Sequence, residues 1–222
     1  MTNPASRITS VRPLPSDPGT VSVRVDGRVV GRVAVEMVDR LALAPGASWS
    51  TERAAAFARA AATDATRRAA LGCLRRRSRS TASLRAWLTE RGHDIGVIAE
   101  VIGDLHARGL LDDERHGRDL ARALLARRPA AWRFLVERLE QSGLAPVLAE
   151  RIATDAVAGV DPVDAALTVA GPVSGGAGDP RRHARRVAGT LQRRGFDENT
   201  IRLALHRLGL LEVLEAGSGD HP

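Results

Sequence analysis

Three glycines spaced about 50 residues apart, Gly92, Gly143 and Gly195, set the frame within which this chain must fold. Four residues before them stand Leu88, Leu139 and Leu191, and eight before them Leu84, Leu135 and Val187. Nine residues after come Val101, Ile152 and Ala204, and thirteen after come Leu105, Ala156 and Leu208. Apolar residues four positions apart line one helical face, and glycine ends a helix where a left-handed residue is needed. A period of this length with helical content predicts stacked helical units rather than one bundle. Each unit reads as three helices, at roughly 64–77, 81–91 and 94–107, then 112–127, 132–142 and 145–157, then 161–170, 180–194 and 197–208.

The expected fold is therefore all-α: three tandem three-helix repeats in an elongated array, preceded by a small N-terminal β-hairpin. Residues 1–19, with four prolines, read as a disordered leader. Residues 20–49 read as the hairpin region, because Val21 to Val25 alternates apolar and polar, Asp26-Gly27 is a two-residue turn and Val29 to Val35 returns. Repeat 1 is expected over 50–109, repeat 2 over 110–158 and repeat 3 over 159–212. Repeat 3 carries a glycine-rich, flexible insertion at 171–179, and 213–222 reads as a frayed tail. Ser50 or Thr51 caps the first long helix, with Thr63 and Asp64 as the point where it can break. Asp179 and Pro180 open a later one.

Composition narrows the chemistry. Hydrophobic residues make up 44% of the 222, yet aromatics are 3% and tyrosine is absent, so Ala, Leu and Val must fill the interior. Such a core suits close-packed helices. All 33 basic residues are arginine, and the net charge is +7, which makes a polyanion a plausible partner: DNA, RNA or an acidic protein surface. The single cysteine, Cys73, excludes an intramolecular disulfide and fits a reducing, cytoplasmic setting. Flanked by Leu71 and Leu74, it reads as a packed residue. No signal peptide is expected, and no apolar run approaches the ~20 residues that span a bilayer.

The candidate contact residues are arginines. Arg67, Arg68, Arg75, Arg76, Arg77 and Arg79 come with no acid between them, and Arg85 extends the group. On one continuous helix Arg68, Arg75 and Arg79 share a face. Like charges there repel, so either an anionic partner relieves them or the face is simply solvated. Arg181, Arg182, Arg185 and Arg186 form a second group at a helix start, where cations oppose the helix dipole. Asp112, Asp113 and Glu114 read as residues that complement a helix N-terminus, and Trp87 and Trp132 as core. The six histidines show no pair at ligand spacing, residues 171–178 lack the lysine of a phosphate loop, and no nucleophile–base pair is visible. No enzyme activity, metal or cofactor is expected.

Two segments resemble a known family. Leu71, Leu74, Arg77, Arg79, Ser80, Ser83, Leu84 and Leu88, followed by Gly92, are similar to a run in RecX proteins. Leu105 and Gly109-Leu-Leu-Asp112-Asp113 are similar to that family's junction between its first two repeats. The resemblance covers about 20–212. The pattern departs at Ser83, at His116 and Gly117, and at Pro129 to Trp132. It implies a monomeric regulatory protein that binds the RecA–DNA filament and modulates, in the inhibitory sense, RecA recombinase, ATPase and co-protease activity in DNA repair. Direct contact with single- or double-stranded DNA is an added option. The alternative is a free-standing DNA- or RNA-binding helical repeat protein.

Overall fold

A computed structural model describes residues 6–171 and 179–215. It is mostly helical, with an antiparallel three-stranded sheet at the N-terminus. The chain divides into two compact units, residues 1–78 with 84–111, and residues 79–83 with 112–222.

The sheet in the first unit has the order β1 (Ile8–Leu14), β2 (Asp17–Val25), β3 (Arg28–Ala34). The β2–β3 turn falls at Asp26-Gly27, where φ is +47° and +79°, the two positive values that match a tight hairpin to the strand twist. A two-stranded hairpin with a disordered leader is corrected here. Residues 8–14 form a third strand, paired with β2 from Ile8 opposite Val25 to Leu14 opposite Asp17. Pro13 is tolerated because β1 is an edge strand, and Ile8 is 1% exposed in the sheet core with Val21, Val23, Val25 and Val33. Residues 1–5 of the expected leader lie outside the described residues.

A short helix, α1 (Met37–Arg40), leads to α2 (Thr51–Arg76), a helix of 26 residues. The Ser50 hydroxyl accepts from the Arg53 N–H at 3.1 Å and starts it. It does not break at Thr63 and Asp64. Both are buried on its inner face, and the Asp64 carboxylate accepts the Ala34 N–H, tying β3 to the helix. The first half of α2 also covers the sheet with Phe57, whose ring meets Trp49 edge-on at 5.3 Å. Gly31 makes room: a Cβ there would come within 2.9 Å of the Phe57 ring.

The remaining helices are α3 (Thr81–Glu90), α4 (Ile95–Ala107), α5 (Asp113–Arg127), α6 (Trp132–Gln141), α7 (Pro146–Val157), α8 (Pro162–Ala170), α9 (Pro180–Arg193), α10 (Glu198–Arg207) and α11 (Leu211–Glu215). One apolar cluster joins the second half of α2 to α3 and α4 through Ala70, Cys73, Leu84, Leu88, Val101 and Leu105. A second joins α5, α6 and α7, and a third α8, α9 and α10. Leu88, Leu139 and Leu191 are each fully buried. After each, the helix ends in the same way. Gly92, Gly143 and Gly195 have φ of +77°, +93° and +77°, and the next residue donates its N–H back to that leucine's carbonyl at 3.3, 3.2 and 3.3 Å. Most of the expected 171–179 insertion, and the tail beyond 215, lie outside the described residues; Leu214 of the expected tail packs on the third cluster beside Leu211.

Candidate functional site

The arginines of α2 do not act as one group. Arg67 is answered inside the first unit: its Nη1 is 3.5 Å from Asp64 and its Nε 3.4 Å from Asp104 of α4, which also receives Arg108 at 2.8 Å. Sequence inspection between positions 67 and 79 missed these acids because one precedes the run and the other is supplied by another helix. Arg68 is exposed and reaches Thr20 at 3.5 Å. Arg75 and Arg76 occupy the last turn of α2, where positive charge complements the helix dipole, and Arg77 caps it in an extended conformation. Arg75, Arg76 and Arg77 are all exposed, and none is paired with a carboxylate among the described residues.

The expected helical face of Arg68, Arg75 and Arg79 is corrected. The helix stops at Arg76, so Arg79 is off its register. The stop is built into Ser80, whose hydroxyl accepts from the Ser83 N–H at 3.2 Å and starts α3. Arg79 belongs to the second unit, half-buried, and donates to the Ser83 hydroxyl at 3.1 Å. Arg85 lies exposed on α3.

In the second unit α9 carries the other group. Arg181, Arg182, Arg185 and Arg186 are exposed in its first two turns, behind the Asp179 N-cap. Arg186 also approaches the buried His183 Nδ1 at 3.3 Å. The helix contains no Asp or Glu from Pro180 to Arg193. Steps of four and seven residues place Arg182, Arg186 and Arg193 along its outer side, opposite the buried Ala184, Val187 and Leu191. It is an acid-free cationic ridge on one rigid element.

The same unit holds two features that no local pattern announced. Arg138 of α6 and Arg194 at the end of α9 meet the Phe134 ring, and Arg128 at the end of α5 adds its positive charge at Arg194. An open apolar groove of about 1380 Å³ runs past Pro129, Trp132, Val160, Pro162, Phe196 and Ile201. Trp132, expected in the core, is 41% exposed at that groove, and its indole N–H donates to Thr154 at 3.0 Å. Asp112 caps α5 by accepting from the Arg115 N–H at 2.9 Å. Glu114 takes Arg151 in a two-pronged pair at 3.1 and 2.9 Å, which holds its carboxyl below the usual range. Among the described residues, no group of three or more His, Cys, Asp or Glu side chains could hold a metal ion. No described helix is long and apolar enough to cross a membrane.

No family model matches the chain. A curated relative, "Regulatory protein RecX" of Halorhodospira halophila, is 37% identical over 146 residues, which cover 65% of this chain and 88% of the relative. The chain belongs to the RecX family. Two solved structures share its fold. One, described as the crystal structure of regulatory protein RecX, aligns with a TM-score of 0.70 at 18% identity, covering 90% of this chain and 99% of that one. The other, RecX from Lactobacillus salivarius, aligns with a TM-score of 0.54 at 19% identity, covering 67% and 97%. The mostly helical fold with its N-terminal sheet is therefore one that solved RecX structures share.

Proposed function

We propose that this RecX-family chain binds the RecA–DNA filament as a cytoplasmic monomer and lowers RecA recombinase, ATPase and co-protease activity during DNA repair, without chemistry of its own. The observation that carries the reading is the 37% identity across 88% of a RecX regulatory protein. The arginines of two helices supply the means. Arg75, Arg76 and Arg77 at the end of α2, with Arg79 and Arg85 beyond it, and Arg181, Arg182, Arg185 and Arg186 on α9, offer positive charge to DNA phosphates or to acidic RecA surface. Arg67 and Arg68 stay closer to the fold, through Asp64, Asp104 and Thr20. The repeat boundaries at 50–109, 110–158 and 159–212 belong to the same proposal.

The direct test is RecA-dependent ATP hydrolysis on single-stranded DNA with and without this chain. A fall that saturates with added protein is the expected result; no change at filament-saturating concentrations overturns the reading. A variant with Arg75, Arg76, Arg77 and Arg79 changed to Gln locates the contact. Its filament affinity is expected to fall and the salt dependence of binding to flatten, because fewer counterions are released. Unchanged affinity and slope in the folded variant would pass the role to the α9 arginines.

The net charge of +7 and the acid-free α9 ridge favour a second reading, a nucleic-acid-binding repeat protein that acts without RecA. Tight, steeply salt-dependent binding to naked DNA, with no effect on RecA, would select it.

A further inference from the structure

The arginines around Phe134 form a group that neither α9's outer face nor the end of α2 includes. Phe134 and Arg138 lie one turn apart on α6, and the Arg138 guanidinium carbon sits 5.1 Å from the ring centroid. Arg194, the C-cap of α9, approaches the same ring at 5.1 Å. Arg128, the C-cap of α5, adds its positive charge at Arg194. Backbone holds them there. The Ala131 N–H donates to the Arg194 carbonyl at 3.0 Å, and Gly195 approaches so closely that a Cβ would lie 2.6 Å from the Phe134 nitrogen.

Like charges brought together by rigid backbone at one ring repel each other. The ring answers part of that repulsion through its electron-rich face. Among the described residues no carboxylate is paired with any of these arginines; Arg138 donates instead to Gln141 at 3.0 Å. Arg194 is half-buried, and burial, followed by the charges of Arg128 and Arg138, pushes its pKa below that of a free guanidinium. With two guanidiniums against the ring, Phe134 is a poor platform for a stacked base. What the cluster offers outward is guanidinium N–H groups, whose fork matches an oxyanion.

We propose that Arg138 and Arg194, both held against Phe134, form a phosphate site that takes the backbone of a nucleic-acid strand. A polymer of evenly repeated negative charge fits better than an acidic protein patch, because the helix that ends at Arg194 carries Arg182, Arg186 and Arg193 along its outer side with no acid among them. Phosphate contacts position a strand without reading its bases, so the site is indifferent to sequence. The site stands without the RecA reading, since naked nucleic acid suffices to occupy it.

The test is fluorescence anisotropy of the full chain with two labelled single-stranded oligonucleotides of different sequence, across a salt series. R138Q and R194Q are compared with R122Q, which removes an exposed charge paired with Asp119 on α5. Each of the first two is expected to weaken binding roughly tenfold, the weight of a hydrogen bond to a charged group. Both oligonucleotides lose equally, and the salt slope drops by about one. R122Q changes neither. Affinity and slope equal to wild type in R138Q and R194Q, with thermal melting showing both folded, overturn the site. Polyglutamate that binds as tightly as the oligonucleotides, with the same loss in the variants, overturns the phosphate assignment in favour of an acidic protein. A third measurement does not depend on any variant folding. In the wild-type protein the Nε–H resonances of Arg138 and Arg194 are expected to shift with oligonucleotide, and in the same direction with inorganic phosphate. Resonances that stay still as the oligonucleotide saturates the protein overturn the proposal.

Discussion

The three helix-ending glycines have the same backbone conformation but different surroundings, and substitution separates the two effects. Gly92 has open space where a Cβ would go; at Gly143 a Cβ would lie 2.6 Å from the Ser80 hydroxyl, and at Gly195 the same distance from backbone at Phe134. G92A is expected to cost about 1–2 kcal/mol, the strain of a left-handed alanine. G143A adds a contact that a side chain can yield to, and G195A one that backbone cannot. Urea unfolding is expected to rank them G195A, G143A, G92A in decreasing damage; equal losses would mean that close approach contributes nothing. Asp197 supports a pH prediction. Its carboxylate caps α10 by accepting from the Thr200 N–H at 2.8 Å, and that bond, more than any other, lowers its pKa from 3.8. A lowered carboxyl pKa stabilises the fold above the unfolded value, and the benefit fades as pH falls through the folded one. D197A is therefore expected to lose about 0.5–2 kcal/mol at neutral pH. The gap from wild type should close in acid below 3.8. A gap that persists there would show that the capping charge is not its source.

At the scale of elements, the helices were legible because their signals are local. An apolar stripe, a capping residue and a terminal glycine lie within a few turns of one another, so α3 to α10 fall within a few residues of where periodicity places them. L139A removes a fully buried side chain from the cluster of α5, α6 and α7, and is expected to cost about 2–5 kcal/mol in chemical denaturation. What stayed hidden depends on distant partners. β1 was obscured by Pro13 and the prolines that flank the strand, and Pro13 is acceptable only because β1 pairs with β2 as an edge strand. Asp64 looked like a helix breaker; its partner is the Ala34 N–H on β3. D64A strands that N–H and frees Arg67 from one of its two acids, with an expected loss of about 1–3 kcal/mol. Amide exchange is expected to quicken at Ala34 first; an unchanged rate there would separate Asp64 from the docking of the strand. The candidate site was legible as charge but not as geometry. Counting arginines found the ends of α2 and α9, yet could not see that Arg67 is neutralised by Asp104 of another helix. Nor could it see that Arg138 and Arg194 meet at Phe134, because two separate helices bring them together.

For the molecule as a whole, the net charge of +7 acts in opposite directions on folding and on binding. Folding concentrates positive charge, so added salt screens self-repulsion and is expected to raise Tm modestly in the free protein. The same salt weakens any contact with phosphates. A thermal melt and a binding isotherm across one chloride series should therefore slope oppositely. A Tm that falls with salt would mean that exposed ion pairs such as Arg118–Glu114, at 2.6 Å, outweigh the repulsion.

The scarcity of aromatic side chains also determines how the protein can be watched. With no tyrosine, near-ultraviolet emission comes from three indoles: Trp49 against Phe57 beside the sheet, Trp87 under the Arg91 guanidinium 3.8 Å from its ring, and Trp132 at the mouth of the groove. Each reports on a different neighbourhood, while the cluster of α8, α9 and α10 contains no indole of its own and would be seen only through Trp132, which shares the groove with Phe196 and Ile201.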